Sequence, residues 1–372
     1  MDNKPVKVLM VVPNLRVSNG VATFAMNYYR NIDHDRFHID FVTLSYRESP
    51  YIAEVEEKGS QVFVLPSLLK HPFKHKSACR KILTDGGYDI IHDNSLNKTI
   101  PLMKLAKKTV PVRILHSHNF KMGETKFKEA VNKLILPVLI RTANFLTACS
   151  SNAGTAMFGK REYKVIPNII DTDAYLFDSS KRDEVRTREN AAGKKIIGSV
   201  GRLAFQKNPF FAVDIAEQLI KMRDDAEYWW IGSGPLDEQV REYVAGKGLD
   251  GRIRLFGSRN DVKDLYQAMD MLLLPSRFEG FPLTGIEAQA SGLPCAVSAQ
   301  LPAEVNITGE VTFIPLTESP ESWAEKISRI LDGTADRSAM NRKCRESGFS
   351  IYGAGNTLSD YYSACLASVR KG

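Results

Sequence analysis

The feature that most constrains this chain is an alternation, run through twice, of short apolar stretches and longer segments with helical spacing. KVLMVV (7–12) predicts a buried parallel strand, and VATFAMNYYRNI (21–32) predicts the helix behind it. Further strands are expected at 38–44, 61–66, 89–95, 112–119, 145–150 and 164–168, with helices near 50–58, 74–85, 97–108 and 124–143. Residues 169–194 interrupt the rhythm: they are polar and charged, lack a long apolar run and read as a linker. The pattern restarts with KIIGSV (195–200) and continues through strands at 228–234, 253–258, 271–276 and 294–299. Helices between them are expected near 209–222, 236–246 and 260–269 and after Gly280, then near 320–332, 335–346 and 356–370. Such alternation builds parallel sheets, because parallel neighbours need a crossover and that crossover is usually a helix. The expectation is an α/β chain with two doubly wound domains, 1–170 and 195–350, joined by a linker at 171–194. A C-terminal helix within 351–372 is expected to pack back on the first domain. Ligands of such sheets bind outside the carboxyl ends of the strands, so two facing sheets would form a cleft.

Size and composition agree with this. The chain has 372 residues, 43% hydrophobic and 25% charged, which suits two cores of a globular enzyme. No run approaches the roughly 18 apolar residues of a membrane helix, and MDNKPVKVLMVV opens directly on a strand pattern without signal-peptide features. The 5 cysteines are scattered, odd in number and without a C-x-x-C pair, as expected of reduced thiols in a cytoplasmic protein. The net charge of +7 is uneven: residues 1–192 carry 29 Lys+Arg against 20 Asp+Glu, and residues 193–372 carry 21 against 23. That excess in the first half suggests an anionic partner there, whether membrane surface, nucleic acid or phosphorylated substrate.

The stretch RFEGFPLTGIEAQASGLP (277–294) carries two glutamates, Glu279 and Glu287, across the start of an expected helix. Pro282 suits the first turn, Gly292 the end, and Pro294 blocks continuation. Phe281 in the cap position offers no acceptor, so the amides of Leu283 and Thr284 are left open, an arrangement that attracts anions. The two glutamates could flank such an anion, or could be ordinary surface residues at a helix start. SVGRLAFQKNP (199–209) places Arg202 and Lys207 in the loop after the second domain's first strand, at the same expected sheet edge. Two cations there suit a diphosphate, and carboxylates suit ribose and sugar hydroxyls. DTD (171–173) has the form of a metal motif but lies in the polar segment, GSG (232–234) is a tight turn, and His71 and His75 read as solvated.

EGFPLTGIEAQASGLP resembles the E-x7-E signature of the retaining enzymes of glycosyltransferase family 4, which have the GT-B fold of two Rossmann-like domains. GRLAFQKNP resembles that family's arginine–lysine phosphate segment, and LFGSRNDV (255–262) the loop that holds the base. PNIIDTDAYLF resembles the interdomain motif, with Ile169 in place of the usual glycine. SNGVATF resembles the N-terminal glycine loop, with Asn19 in place of its first glycine, and HSHN (116–119) resembles the strand-end histidine segment. The motifs occur in family order over almost the whole chain, and the likeness is greatest to bacterial capsule and exopolysaccharide transferases.

The resemblance implies transfer of a sugar from a nucleotide-diphosphate sugar, UDP-sugar foremost, to a glycan or polyprenyl-linked acceptor, with no metal, cofactor or nucleic acid. It implies that Arg202 and Lys207 neutralise the donor diphosphate, Glu287 binds the ribose and Glu279 binds a hydroxyl of the transferred sugar. His118, and His116 beside it, would face the sugar from the first domain. Gly20 would let the backbone approach phosphate or acceptor, and Ser258 and Arg259 would lie near the base. Phe281, Leu283 and Thr284 would border the diphosphate. A nucleotide-sugar 2-epimerase of the same fold is the alternative. A nicotinamide oxidoreductase would need G-x-G-x-x-G after a first strand, and PNLRVSNG is not that. LLKHPFKHKSACRKIL (68–83) and KFKEAVNKLILPVLIR (126–141) pair basic with apolar residues, as in segments that rest on the anionic inner face of a cell membrane.

Overall fold

The structure, a computed structural model, describes residues 4–17, 19–45, 48–118 and 126–370. It divides into two compact units, Met1–Ile169 with Ala354–Gly372, and Ile170–Gly353.

The first unit is a parallel sheet of β1 (Val6–Val12), β2 (Phe37–Thr43), β3 (Val62–Val64), β4 (Ile90–Asp93), β5 (Val112–Ser117), β6 (Phe145–Ala148) and β7 (Lys164–Val165), in the order β3-β2-β1-β4-β5-β6-β7. Val8 to Val12 are buried throughout, as a central strand covered on both faces requires. The C-terminal helix Thr357–Arg370 returns to this unit. Its buried residues Leu358, Tyr362, Cys365 and Leu366 follow helical spacing, and the Tyr362 hydroxyl lies 2.7 Å from His92 Nδ1 on β4.

The second unit holds β8 (Lys195–Val200), β9 (Ala226–Ile231), β10 (Ile253–Gly257), β11 (Met271–Leu274), β12 (Cys295–Ser298) and β13 (Val311–Ile314), ordered β10-β9-β8-β11-β12-β13 and parallel. Its core packs Tyr228, Trp230 and Trp323 among aliphatic residues such as Ile197, Leu219 and Ile327. Both sheets follow the doubly wound order in which strand sequence reverses beside the first strand, and ligands of such sheets bind at that reversal.

Residues 171–194 are not a linker. Ser179–Arg188 is a helix of the second unit, capped by Asp178, which accepts from the amides of Ser180 and Lys181. Arg182 and Arg186 both bind Asp270, at 2.6 and 2.7 Å, and Arg182 also donates to the carbonyls of Gln267, Ala268 and Met269. The segment looks unstructured in sequence because arginines make its inward contacts; Val185 is the one buried residue of that helix. Further elements outside the expected pattern include the helix Ser151–Phe158, β13 and the short helix Ile351–Ala354.

Candidate active site

In the second unit the strand order reverses between β8 and β11, and the loops after these strands carry the expected site residues. The loops are joined: the Arg277 amide donates to the Gln206 carbonyl at 2.8 Å. Across that junction Lys207 Nζ lies 2.7 Å from Glu279 Oε1. Glu279 is 8% exposed and also accepts from Ser276 Oγ at 2.9 Å and from Gln206 Nε2 at 2.8 Å. The Lys207 stem runs over Gly201, where an added Cβ would come within 2.9 Å of Lys207 Cε. Gly201 in turn meets the GSG turn: a Cβ on Gly232 (φ +130°) would lie 2.2 Å from the Gly201 carbonyl oxygen. That turn is glycine-rich for close packing of strand ends.

Glu287 lies in the helix Leu283–Ala290, half-buried, and accepts from the Tyr266 hydroxyl at 3.0 Å. Burial holds its carboxyl above the usual range, while Tyr266, Tyr175 and the charges of Lys263 and Lys207 pull it back. The site lysine therefore lies within electrostatic reach of both glutamates. The helix begins one residue later than expected, with Pro282 in the cap position, and no side chain caps it. The first-turn amides of Leu283 and Thr284 have no side-chain partner, and Thr284 Oγ1 is buried without one. An uncapped end beside Lys207 is suited to an anion.

Other expected residues are placed differently. Arg202 is exposed and has no ion pair among the described residues, so its charge is available. Arg259 is committed to Asp261 through two 2.7 Å contacts, which hold its guanidinium protonated, and Ser258 beside it is exposed. The Phe281 ring is buried in a stack on Phe349 at 4.6 Å, so only its backbone could meet a ligand. Asp173 of the DTD segment pairs with Arg345 at 3.0 Å, and among the described residues no group of three or more His, Cys, Asp or Glu could hold a metal.

The first unit gathers its own polar cluster. The His116 and His118 rings stack at 4.3 Å, and His116 Nδ1 lies 3.1 Å from His92 Nε2. Asn94 donates from Nδ2 to Met10 and to the His92 carbonyl, so its Oδ1 is the acceptor that faces His118 Nε2 at 2.8 Å. His118 therefore carries its proton on Nε2 and presents Nδ1 as an acceptor. Burial pushes both His92 and His118 down to about 3. Gly20 opens the helix Gly20–Asn31, and a side chain there would meet nothing within 4 Å. Asn19, which stands where the family has glycine, caps that helix: its Oδ1 accepts from Val21 and Ala22 at 3.0 and 3.1 Å. The amides of Val21 and Ala22, next to Gly20, are thus already paired. His75, expected to be solvated, is buried with Nδ1 2.7 Å from the Pro66 carbonyl. Ser18, Asn119 and the side chains of Lys126 and Lys128 lie outside the described residues.

Sequence reasoning singled out Lys207, Glu279 and Glu287 but missed Gln206, Ser276, Tyr266 and Asn94, which hold the site groups. Gln206 adjoins Lys207; the others carried no signal in a single sequence.

Two such doubly wound sheets have the architecture of the GT-B fold, and the second carries a lysine and two carboxylates by its strand reversal. Residues 18–174 match the family model Glycosyltransferase Family 4, and residues 180–347 match Glycosyl transferases group 1. EpsF of Bacillus subtilis strain 168, named as a glycosyltransferase, is 30% identical over 344 residues, 88% of each chain. The UDP-Gal:alpha-D-GlcNAc-diphosphoundecaprenol alpha-1,3-galactosyltransferase of Escherichia coli is 26% identical over 92% of this chain and 93% of its own. Among solved structures, Anabaena HepE in complex with UDP-glucose matches with a TM-score of 0.80 at 17% identity, covering 96% of this chain and 99% of that one. The chain belongs to glycosyltransferase family 4 and is a glycosyltransferase. Among the described residues no helix is long and apolar enough to cross a membrane.

Proposed function

We propose that this glycosyltransferase is a retaining enzyme that moves a sugar from UDP-sugar to a lipid-linked or other glycan acceptor in cell-surface polysaccharide synthesis. The observation that carries the reading is the meeting of Lys207 with Glu279, and within charge range of Glu287, beside an uncapped helix end. Lys207, Arg202 and the first-turn amides receive the diphosphate and stabilise it as it departs, which is where charge develops. Glu287 takes the ribose. Glu279 orients a sugar hydroxyl; its ion pair and two neutral donors suit a fixed acceptor better than a nucleophile. The acceptor then attacks on the face the diphosphate leaves, and the diphosphate assists its deprotonation. The cations do the work a divalent ion would otherwise do, so none is required. The choice of donor and acceptor is supported by the undecaprenol-linked acceptor in the name of the E. coli relative and by the UDP-glucose bound to HepE. No observation favours the 2-epimerase.

Leu69 and Phe73 are 95% and 88% exposed among Lys70, Lys74 and Lys76, which suits reversible contact of the first domain with an anionic membrane carrying the acceptor. The reading is tested by a panel of UDP- and GDP-sugars, with and without acceptor, read as free nucleotide. Release of UDP from one sugar, stimulated by acceptor, is expected. Isomerised donor with no transfer would overturn it.

A further inference from the structure

The Glu279 carboxylate is held by three donors, and one of them is also wanted elsewhere. Oε1 accepts from Ser276 Oγ at 2.9 Å and lies 2.7 Å from Lys207 Nζ, while Oε2 accepts from Gln206 Nε2 at 2.8 Å. Each carboxylate oxygen offers about two acceptor positions, so Oε1 is filled and Oε2 has one left. That one position is what Glu279 can offer to a sugar. An acceptor-only group reads a hydroxyl donor and rejects a sugar that lacks it, because the buried acceptor is then left unpaired. Lys207 is the competed donor: a diphosphate at the helix Leu283–Ala290 draws its ammonium, and the ion pair to Oε1 weakens. Ser276 alone touches one oxygen and cannot stop the carboxylate turning about its own axis.

We propose that Gln206 is the positioning residue that keeps Glu279 aimed at the transferred sugar once Lys207 is shared with the diphosphate, and so sets selection for a donor sugar with a hydroxyl at that point. This rests on the reading of Glu279 as the sugar-contacting carboxylate. Gln206 is suited to the task because both its ends are fixed. Its carbonyl accepts from the Arg277 amide at 2.8 Å and its side chain reaches Oε2, so one residue bridges the two loops that build the site. Its amide is neutral and does not compete for the diphosphate.

The test is Gln206→Met, similar in length and without a donor, assayed with the UDP- or GDP-sugar that the wild type turns over. A wild type that turns over no nucleotide sugar sinks the transferase reading itself and is seen before any variant is made. With activity in hand, kcat is expected to fall about tenfold or more, the effect of one oriented hydrogen bond. The calorimetric Kd for the matching nucleoside diphosphate should stay within about twofold, and the preference for the sugar over its monodeoxy analogues should shrink. Gln206→Asn, too short to reach Oε2, should behave alike and serves if the methionine variant does not fold. An unchanged kcat, or a kcat lost in step with affinity for that nucleoside diphosphate, overturns the proposal.

Discussion

His92 Nε2 and His116 Nδ1 lie 3.1 Å apart in the first domain, and neither ring carries a charge near neutral pH. Burial holds His92 at about 3 and His116 well below its ordinary 6.5, with His118, itself at about 3, adding repulsion to both. Protonating any of the three would bury a cation against its neighbours.

The sign of the pH effect follows. Below pH 6.5 the unfolded chain binds protons at these histidines that the folded domain refuses, so stability falls as pH drops from about 6.5 towards 3. His92 and His118 each contribute on the order of 1.4 kcal/mol per pH unit across that window, and His116 acts in the same direction. Asp93, pushed up to about 7 by burial, acts in the opposite sense between pH 7 and 4 and offsets roughly one of them. Thermal unfolding from pH 7.5 to 4.5 should show the first-domain transition moving down, with a shallower slope in His92→Phe. An equally steep slope in that variant would place the titration elsewhere.

The two glutamates should separate. Glu287→Ala is expected to weaken free UDP binding, since Glu287 is assigned to the ribose, whereas Glu279→Ala should spare UDP and reduce transfer. Lys207→Ala should cost about 1.5–3 kcal/mol of UDP affinity, the range for charge-assisted bonds. Calorimetry with UDP reads all three. Equal losses for both glutamates would show that the division of roles is wrong.

Activity should persist in excess chelator, because Arg202, Lys207 and helix amides are assigned to the diphosphate charge. Turnover in EDTA measures this directly. Complete loss, restored by manganese or magnesium, would reinstate a metal at the diphosphate.

Membrane contact should be salt-sensitive. Cations near an anionic surface contribute about 1 kcal/mol each, and Leu69 and Phe73 would add apolar insertion. Co-sedimentation with anionic vesicles should fall at high salt and in Phe73→Ser. Negligible binding to anionic and neutral vesicles alike at low salt would point to a soluble acceptor.

The central strands were legible because they are apolar on both faces, as KIIGSV and MLLLPS are. The two doubly wound domains followed from their order. The segment 171–194 was not legible: Arg182 and Arg186 fold it by binding Asp270, some 85 residues away, and arginine in sequence looks like solvent-facing charge. Glu279 and Lys207 were singled out separately, but their ion pair needs two loops brought together by sheet topology. Tyr266 reaches Glu287 from another helix. Asn19 was read as a departure from a glycine loop, when its side chain is doing what asparagine does best at a helix start. His75 shows the same limit, since a histidine among lysines carries no mark of burial.

The chain leaves the first domain at Ile169 and re-enters it at Ala354, with the whole second domain between. Chains are made from the N-terminus and fold domain by domain as they emerge. The second domain is therefore complete while the first still lacks the helix Thr357–Arg370. Until that helix is synthesised, His92 has no Tyr362 to bond, and Phe37 lacks the ring that lies 5.9 Å from its own in the finished fold. While that helix is still inside the ribosome, the first domain carries an open apolar seam, the kind of surface that chaperones bind.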